Sequence, residues 1–287
     1  MKKYKICKIL LVILAIFLCV AFYELLGICV AYKKQLEVSN TTKKETKNGS
    51  WNECSENTER AVIIEKNPEA LLQRVRLIKN AKKEIILSTF AFQSDESGKL
   101  ILGALHDAAD RGVHIRLLVD GMESWVDMEG NPYFYGLSSH ENVEIKLYNK
   151  ANPLKPWKMM GRMHDKYLIA DGKRYILGGR NTYNYFLGDF PGHKNYDRDV
   201  LVVCDEPEKE NSVNQLLEYF ETIWEQEDSG YFHDNKKLAN RKSVKNAVLE
   251  LQNGYQKYFE ENKERICDTD YTDETFETEK IALVSNP

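Results

Sequence analysis

An α/β sandwich, in which helices cover a mixed sheet and one membrane-spanning helix precedes it, is the fold class this sequence predicts. Three observations carry the prediction. From residue 61 onward, strand-like and helix-like periodicities alternate, as they do where helices pack on a partly parallel sheet. The 287 residues are 43% hydrophobic and 29% charged, which is enough apolar material for a real core. One long apolar run near the N-terminus stands apart from that alternation.

Residues 1–8 form a basic flank carrying Lys2, Lys3, Lys5 and Lys8. Residues 9–32 are apolar apart from Glu24, and as a helix they would span about 36 Å, enough to cross a hydrocarbon core with some tilt. A single-pass N-terminal membrane anchor is expected. The alternative, a cleaved signal peptide built on residues 9–23, lacks a small-x-small site directly after the run. Ile28 before Cys29 also spoils a lipoprotein-type site. Glu24 falls inside the span, where a charge is expensive, so it is expected to be protonated or to snorkel outward. Lysines flank both ends of the span, so the positive-inside count leaves the membrane face of the body open. Residues 33–59, rich in Lys, Glu, Asn, Ser and Thr, read as a flexible tether.

The main domain is expected over residues 60–230. A strand at 61–65 leads to a helix with Pro68 in its first turn and Leu71, Leu72, Val75, Ile78 and Ala81 at helical spacing. A strand at 84–90, a helix at 99–111 stopped by Gly112 and a buried-type strand at 113–120 follow. A long loop rich in Gly and Asn comes next, then a strand at 142–148. Strands at 163–170 and 174–177 flank an Asp171-Gly172 turn, and a strand at 199–204 precedes a helix at 212–225. Residues 231–287 hold a last helix, striped by Val244, Val248, Leu251, Tyr255 and Tyr258, and then the start of a second repeat. That reading rests on a short echo: residues 61–68 run from an apolar strand into Asn-Pro, and residues 282–287 do the same.

Charge and cysteine content narrow the function. The formal net charge is −4. Six of 40 basic residues and one of 44 acidic residues lie in residues 1–34, so the remainder carries 34 basic against 43 acidic groups, or −9. A body this acidic is a poor binder of phosphate backbones, so nucleic acid is disfavoured as a partner. The six cysteines show neither metal-ligand nor redox spacing and read as isolated thiols.

The chemistry concentrates in His164, Lys166 and Asp171, followed by Gly178, Gly179 and Asn181. On a strand His164 and Lys166 share a face. An imidazole beside an ammonium offers a nucleophile or acid-base group next to a cation for phosphoryl oxygens. The glycine pair would let backbone approach a ligand closely, and Asn181 supplies an amide donor. A lone histidine is usually structural. All six positions together have a chance frequency on the order of one in 10⁷ starting points.

Those residues fill every position of HxK(x)4D(x)6G(G/S)xN, and in this the chain resembles the phospholipase D superfamily. The likeness extends over about residues 61–225 and is greatest to bacterial cardiolipin synthase-type members. The resemblance implies a phospholipase D-like α/β sandwich and a two-step phosphoryl transfer. One histidine attacks phosphorus and a second protonates the leaving alcohol, then activates water or an incoming alcohol. His164 would be the nucleophile. Lys166 and Asn181, with Gly178 and Gly179, would hold the phosphate, and Asp171 would tune the site. No metal and no cofactor are implied. The family's site takes two such motifs, and this sequence has one. A homodimer would supply the second copy, or a separate second-motif half would.

The expected function is therefore a membrane-anchored phosphatidyltransferase of cardiolipin synthase type acting on phospholipid. The alternatives are a phospholipase or other phosphodiesterase, an inactive or partner-binding half-domain and, least favoured, a nuclease. The stretch 155–162, with Trp157, Met159 and Met160 among cations, reads either as a lipid-facing loop or as ordinary surface. Asp120 and Asp199 are expected in structural roles, and Asp95 and Glu96 in a solvated loop.

Overall fold

The computed structural model describes residues 2–33, 59–207, 211–233, 235–279 and 281–284. Most of the expected tether (34–58) and the end of the echo (285–287) lie outside the described residues. An N-terminal helix, α1 (Lys2–Cys29), contains a 26-residue stretch, Tyr4–Cys29, long and apolar enough to cross a membrane.

The body is one nine-stranded sheet with the order β8-β4-β3-β2-β5-β6-β7-β1-β9. In chain order its strands are β1 (Glu59–Ile64), β2 (Glu84–Thr89), β3 (His114–Asp120), β4 (Val143–Tyr148), β5 (Lys166–Ala170), β6 (Arg174–Gly178), β7 (Asp199–Val203), β8 (Ser229–Tyr231) and β9 (Phe276–Thr278). β2, β3 and β4 are parallel, and every other pairing is antiparallel. The helices of the body are α2 (Asn67–Asn80), α3 (Glu96–Asp110), α4 (Gly121–Asp127), α5 (Pro132–Ser138), α6 (Ser212–Trp224), α7 (Lys242–Glu261) and α8 (Lys263–Cys267).

Period-two alternation divides the strands between two cores. Ile85, Leu87, Ile115, Leu117 and Val119 face the larger one with α2, α3, α5 and α7. Ile86, Leu118, Ile169 and Val202 face the smaller one, which is closed by Val213, Leu216, Phe220, Ile223 and Trp224 of α6. The expected sandwich of a mixed sheet between helices is thus present.

Four local readings need correction. The Gly- and Asn-rich stretch after Asp120 is not a loop but holds α4 and α5. Asp120 caps α4 by accepting from the Met122 and Glu123 amides, and Asn131 caps α5 from Tyr133 with Pro132 in the first turn. The strand expected from residue 163 begins only at Lys166, because Met163 N is drawn to the Asp120 carboxylate instead of a neighbouring strand. α3 starts at Glu96 rather than 99, since Asp95 caps it through the Gly98 amide; Asp95 and Glu96 are therefore helix-start residues. Past α8 the chain returns as β9, antiparallel to β1. Ile281 and, in the stretch read as the start of a second repeat, Leu283 are loop residues packed on the α6 core.

The C-terminal end of α1 touches the body. Gly27 is buried against Pro156, and the Tyr23 hydroxyl donates to the Leu154 carbonyl at 2.8 Å. Glu24 is half-buried on the same stretch of helix.

Candidate active site

The sheet register gathers one edge. Thr89 pairs with Lys166, Tyr167 with Leu177, Gly178 with Asp199, and Val119 with Thr89. The C-terminal ends of the parallel strands β2, β3 and β4 therefore open on the edge where β5 begins and β6 ends. That is the edge of an open α/β sheet where ligands bind.

His164 sits at this edge, just before β5, and is exposed. Its ring meets Phe90 edge-on, with centroids 4.7 Å apart. Among the described residues neither ring nitrogen has a hydrogen-bond partner. Partial desolvation holds its pKa below the ordinary imidazole value. The Lys166 and Arg162 charges add to that effect, and Asp165 and Asp120 oppose it. Lys166 is buried, and burial pushes its ammonium down to about 8 against the pull of Asp165 and Asp197. Its Nζ lies 5.3 Å from the Phe90 ring centre and donates to the His164 carbonyl at 2.6 Å. The two side chains thus meet on Phe90, although only Lys166 is within the strand.

Asp120 fixes the approach to His164. Its buried carboxylate accepts from Arg162 Nε at 2.8 Å and from Met163 N at 3.0 Å while capping α4. Asn181 is buried at the same edge. Its Oδ1 accepts from Ala91 N at 3.2 Å. Beyond β4, Asn149 adopts φ 52° and its amide donates to the Lys158 and Gly161 carbonyls. This closes the loop between β4 and the His164 segment on itself.

Three expected site residues act differently. Asp171 follows the far end of β5, five residue steps beyond the first strand residue at roughly 3.3 Å each, and cannot tune His164 by contact. Its carboxylate instead accepts from the Lys82, Lys83 and Glu84 amides at 2.7–3.1 Å, tying the hairpin turn to the start of β2. Asp171→Ala is expected to cost about 1–3 kcal/mol, because three backbone donors lose a charged acceptor, and to lower the urea midpoint without moving KM. Gly178 and Gly179 are also occupied by the chain itself. A Cβ on Gly178 would lie 2.0 Å from Asp199 Oδ1, and one on Gly179 would lie 2.0 Å from Asp197 Oδ2. These glycines admit the 197–199 segment rather than a ligand.

Sequence reasoning missed Phe90, which covers both His164 and Lys166 and lies 4.8 Å below the Arg162 guanidinium. Its only signal was its place at the end of an apolar strand. It also missed Tyr219, whose hydroxyl donates to Asp165 Oδ2 at 2.9 Å and fixes the residue between histidine and lysine. Among the described residues no cluster of His, Cys, Asp and Glu is arranged to hold a metal.

A family profile described as cardiolipin synthase, PLD-like domain matches residues 74–224. The chain is 30% identical over 212 residues to an uncharacterized protein of Helicobacter pylori strain J99, covering 69% of this chain and 39% of that one. It is 29% identical over 171 residues to cardiolipin synthase C of Escherichia coli K12, covering 55% of this chain and 34% of that one. The chain thus spans about two-fifths or less of the length of these curated relatives. Among solved structures, phosphatidylserine synthase of Haemophilus influenzae superimposes with a TM-score of 0.52 at 18% identity, covering 77% of this chain and 48% of that one. That likeness is one of fold.

Proposed function

The chain belongs to the cardiolipin synthase, PLD-like domain family, and from that membership we propose that it is a membrane-anchored phosphatidyltransferase working through a phosphohistidine on His164. One observation carries the reading: an exposed imidazole with no hydrogen-bond partner among the described residues shares Phe90 with a buried ammonium.

His164, neutral because its pKa is lowered, attacks the phosphorus of a phosphatidyl donor and displaces the alcohol oxygen. Lys166 has one N–H engaged with the His164 carbonyl and two left for phosphoryl oxygens. Asn181, held by Ala91 N, offers its amide N–H to the same group. A second imidazole protonates the leaving oxygen and then takes the proton of an incoming alcohol, which attacks the phosphohistidine and releases His164. We assign that second imidazole to another copy of this chain or to a separate second-motif half. Water in place of the alcohol makes the same site a phospholipase, and the exposure of His164 favours that competing route. The apolar span of α1 supports placement beside lipid.

The reaction needs His164 neutral, the second imidazole protonated and Lys166 charged. Turnover is therefore expected to rise with pH through the lowered His164 titration, to turn down as the second imidazole loses its proton, and to be falling once pH passes about 8, where Lys166 loses its charge as well. A pH profile of transfer on mixed micelles checks both limbs. A profile still rising above pH 9 would remove Lys166 as the phosphate-binding cation.

The test of function is the molecular mass of the detergent-solubilised protein, with phosphatidyl transfer assayed on the same fractions. An active dimer that loses activity with His164→Ala supports a site shared by two copies. An active monomer would contradict the need for a second imidazole from outside this chain.

A further inference from the structure

The closed loop of residues 150–161 does not face only water. Its 3-10 turn, Pro156–Met160, packs on the last turns of α1, where a Cβ on Gly27 would fall 2.2 Å from Pro156 Cγ. The contact begins further down the helix, where Tyr23 donates to the Leu154 carbonyl. Tyr23 precedes the end of the apolar span by six residues, or about 9 Å at helical rise. Anything bonded to Tyr23 thus sits about 9 Å inside the end of that span. Leu154 at that level is 76% exposed, and Met160 is 59% exposed. Two further bonds hold the junction on the other side of the loop. The Tyr32 hydroxyl donates to Asp228 Oδ2 at 2.6 Å, and Lys158 Nζ pairs with Asp228 Oδ1 at 2.5 Å. Lys150 is exposed at the start of the loop, and Lys155, exposed beside Leu154, has a stem long enough to carry its charge back to an anionic surface.

We infer that residues 152–160 are an interfacial wedge that enters the bilayer alongside α1 and places Leu154 and Met160 among acyl chains. The occupant of this surface is lipid because the loop is continuous with a helix whose own apolar span it overlaps. The depth, about 9 Å, lies within the range of 5–10 Å to which amphipathic segments bury in the headgroup and acyl boundary. The wedge ends at Met160, four residues before His164, so its insertion sets the mouth of the site at headgroup level. The inference rests on α1 spanning a membrane, as proposed above.

The test uses the full chain in vesicles of phosphatidylglycerol and phosphatidylcholine, with native cysteines replaced and one cysteine carrying an NBD fluorophore. Leu154→Cys and Met160→Cys alter exposed side chains, so folding is not at issue. Lys173→Cys, exposed at the opposite edge of the sheet, is the control. The label at 154 and at 160 is expected to lose most of its emission to acyl-brominated lipid and to resist aqueous iodide, while the label at 173 does the reverse. Iodide quenching at 154 equal to that at 173, in protein that alkaline extraction leaves in the membrane, would overturn the wedge and leave the anchor standing. Release by alkaline extraction would overturn the anchor and the wedge with it.

Discussion

His164→Ala is expected to lower phosphatidyl transfer and phosphodiester hydrolysis by at least about 10³-fold, since removing a nucleophile leaves only what binding and charge stabilisation can do. The fold should be untouched. His164 is exposed, and among the described residues its ring nitrogens bond to nothing, so its loss strands no buried donor or acceptor. Thermal unfolding should shift within the scatter of surface substitutions, about 0.5 kcal/mol. Both readouts together separate a chemical role from a structural one. Activity within ten-fold of the parent would place the nucleophile elsewhere.

Asp199→Ala is expected to have the largest effect on stability. Asp199 is fully buried, and its Oδ2 pairs with Arg74 of α2 at 2.9 Å and with Arg180 at 3.2 Å. Arg180 also donates to the Ile64 and Glu65 carbonyls and to Asn67, so one carboxylate neutralises two guanidiniums that join α2, β1 and β7. Removing it leaves uncompensated buried charge, at a cost of about 3–5 kcal/mol. In a body of this size that corresponds to roughly 6–20 °C in Tm. Asp199→Asn keeps the shape and part of the hydrogen bonding, so it should fall between alanine and the parent. A loss under 1 kcal/mol in the alanine variant would show that the arginines find other acceptors, and the carboxylate would not be the tie described here.

The legible parts of the molecule were those set by near neighbours in sequence. The spacing of His164 and Lys166 picked out the two side chains that meet on Phe90, and the Asp171-Gly172 dipeptide marked a hairpin turn whose φ values, 55° and 63°, are both left-handed. Helices of thirteen residues or more announced themselves by their apolar stripes, as in α2 and α7. The misses share a cause, which is dependence on distant partners or on single caps. α4 and α5, at seven residues each, are too short for periodicity to speak and depend on Asp120 and Asn131. Phe90 joins the site only because β2 pairs with β5 across about 80 residues of chain. Asp171 fills a motif position without reaching His164, because its role is set by the Lys82–Glu84 amides about 90 residues earlier. A motif names residue types at a spacing. Which of them face one another is decided by the sheet.

The central claim is that the His164 imidazole takes the phosphoryl group, and trapping that adduct tests it most directly. A phosphodiester with a p-nitrophenolate leaving group needs no acid to depart, so the first step can proceed on His164 even where no second imidazole is in place. The measurement is mass spectrometry of the full chain after brief reaction in detergent, with the site of modification read by fragmentation. The account predicts an acid-labile phosphoryl adduct on His164, formed with one equivalent of p-nitrophenolate and absent from His164→Ala. An adduct on another residue, or the same burst of p-nitrophenolate from His164→Ala, would contradict it.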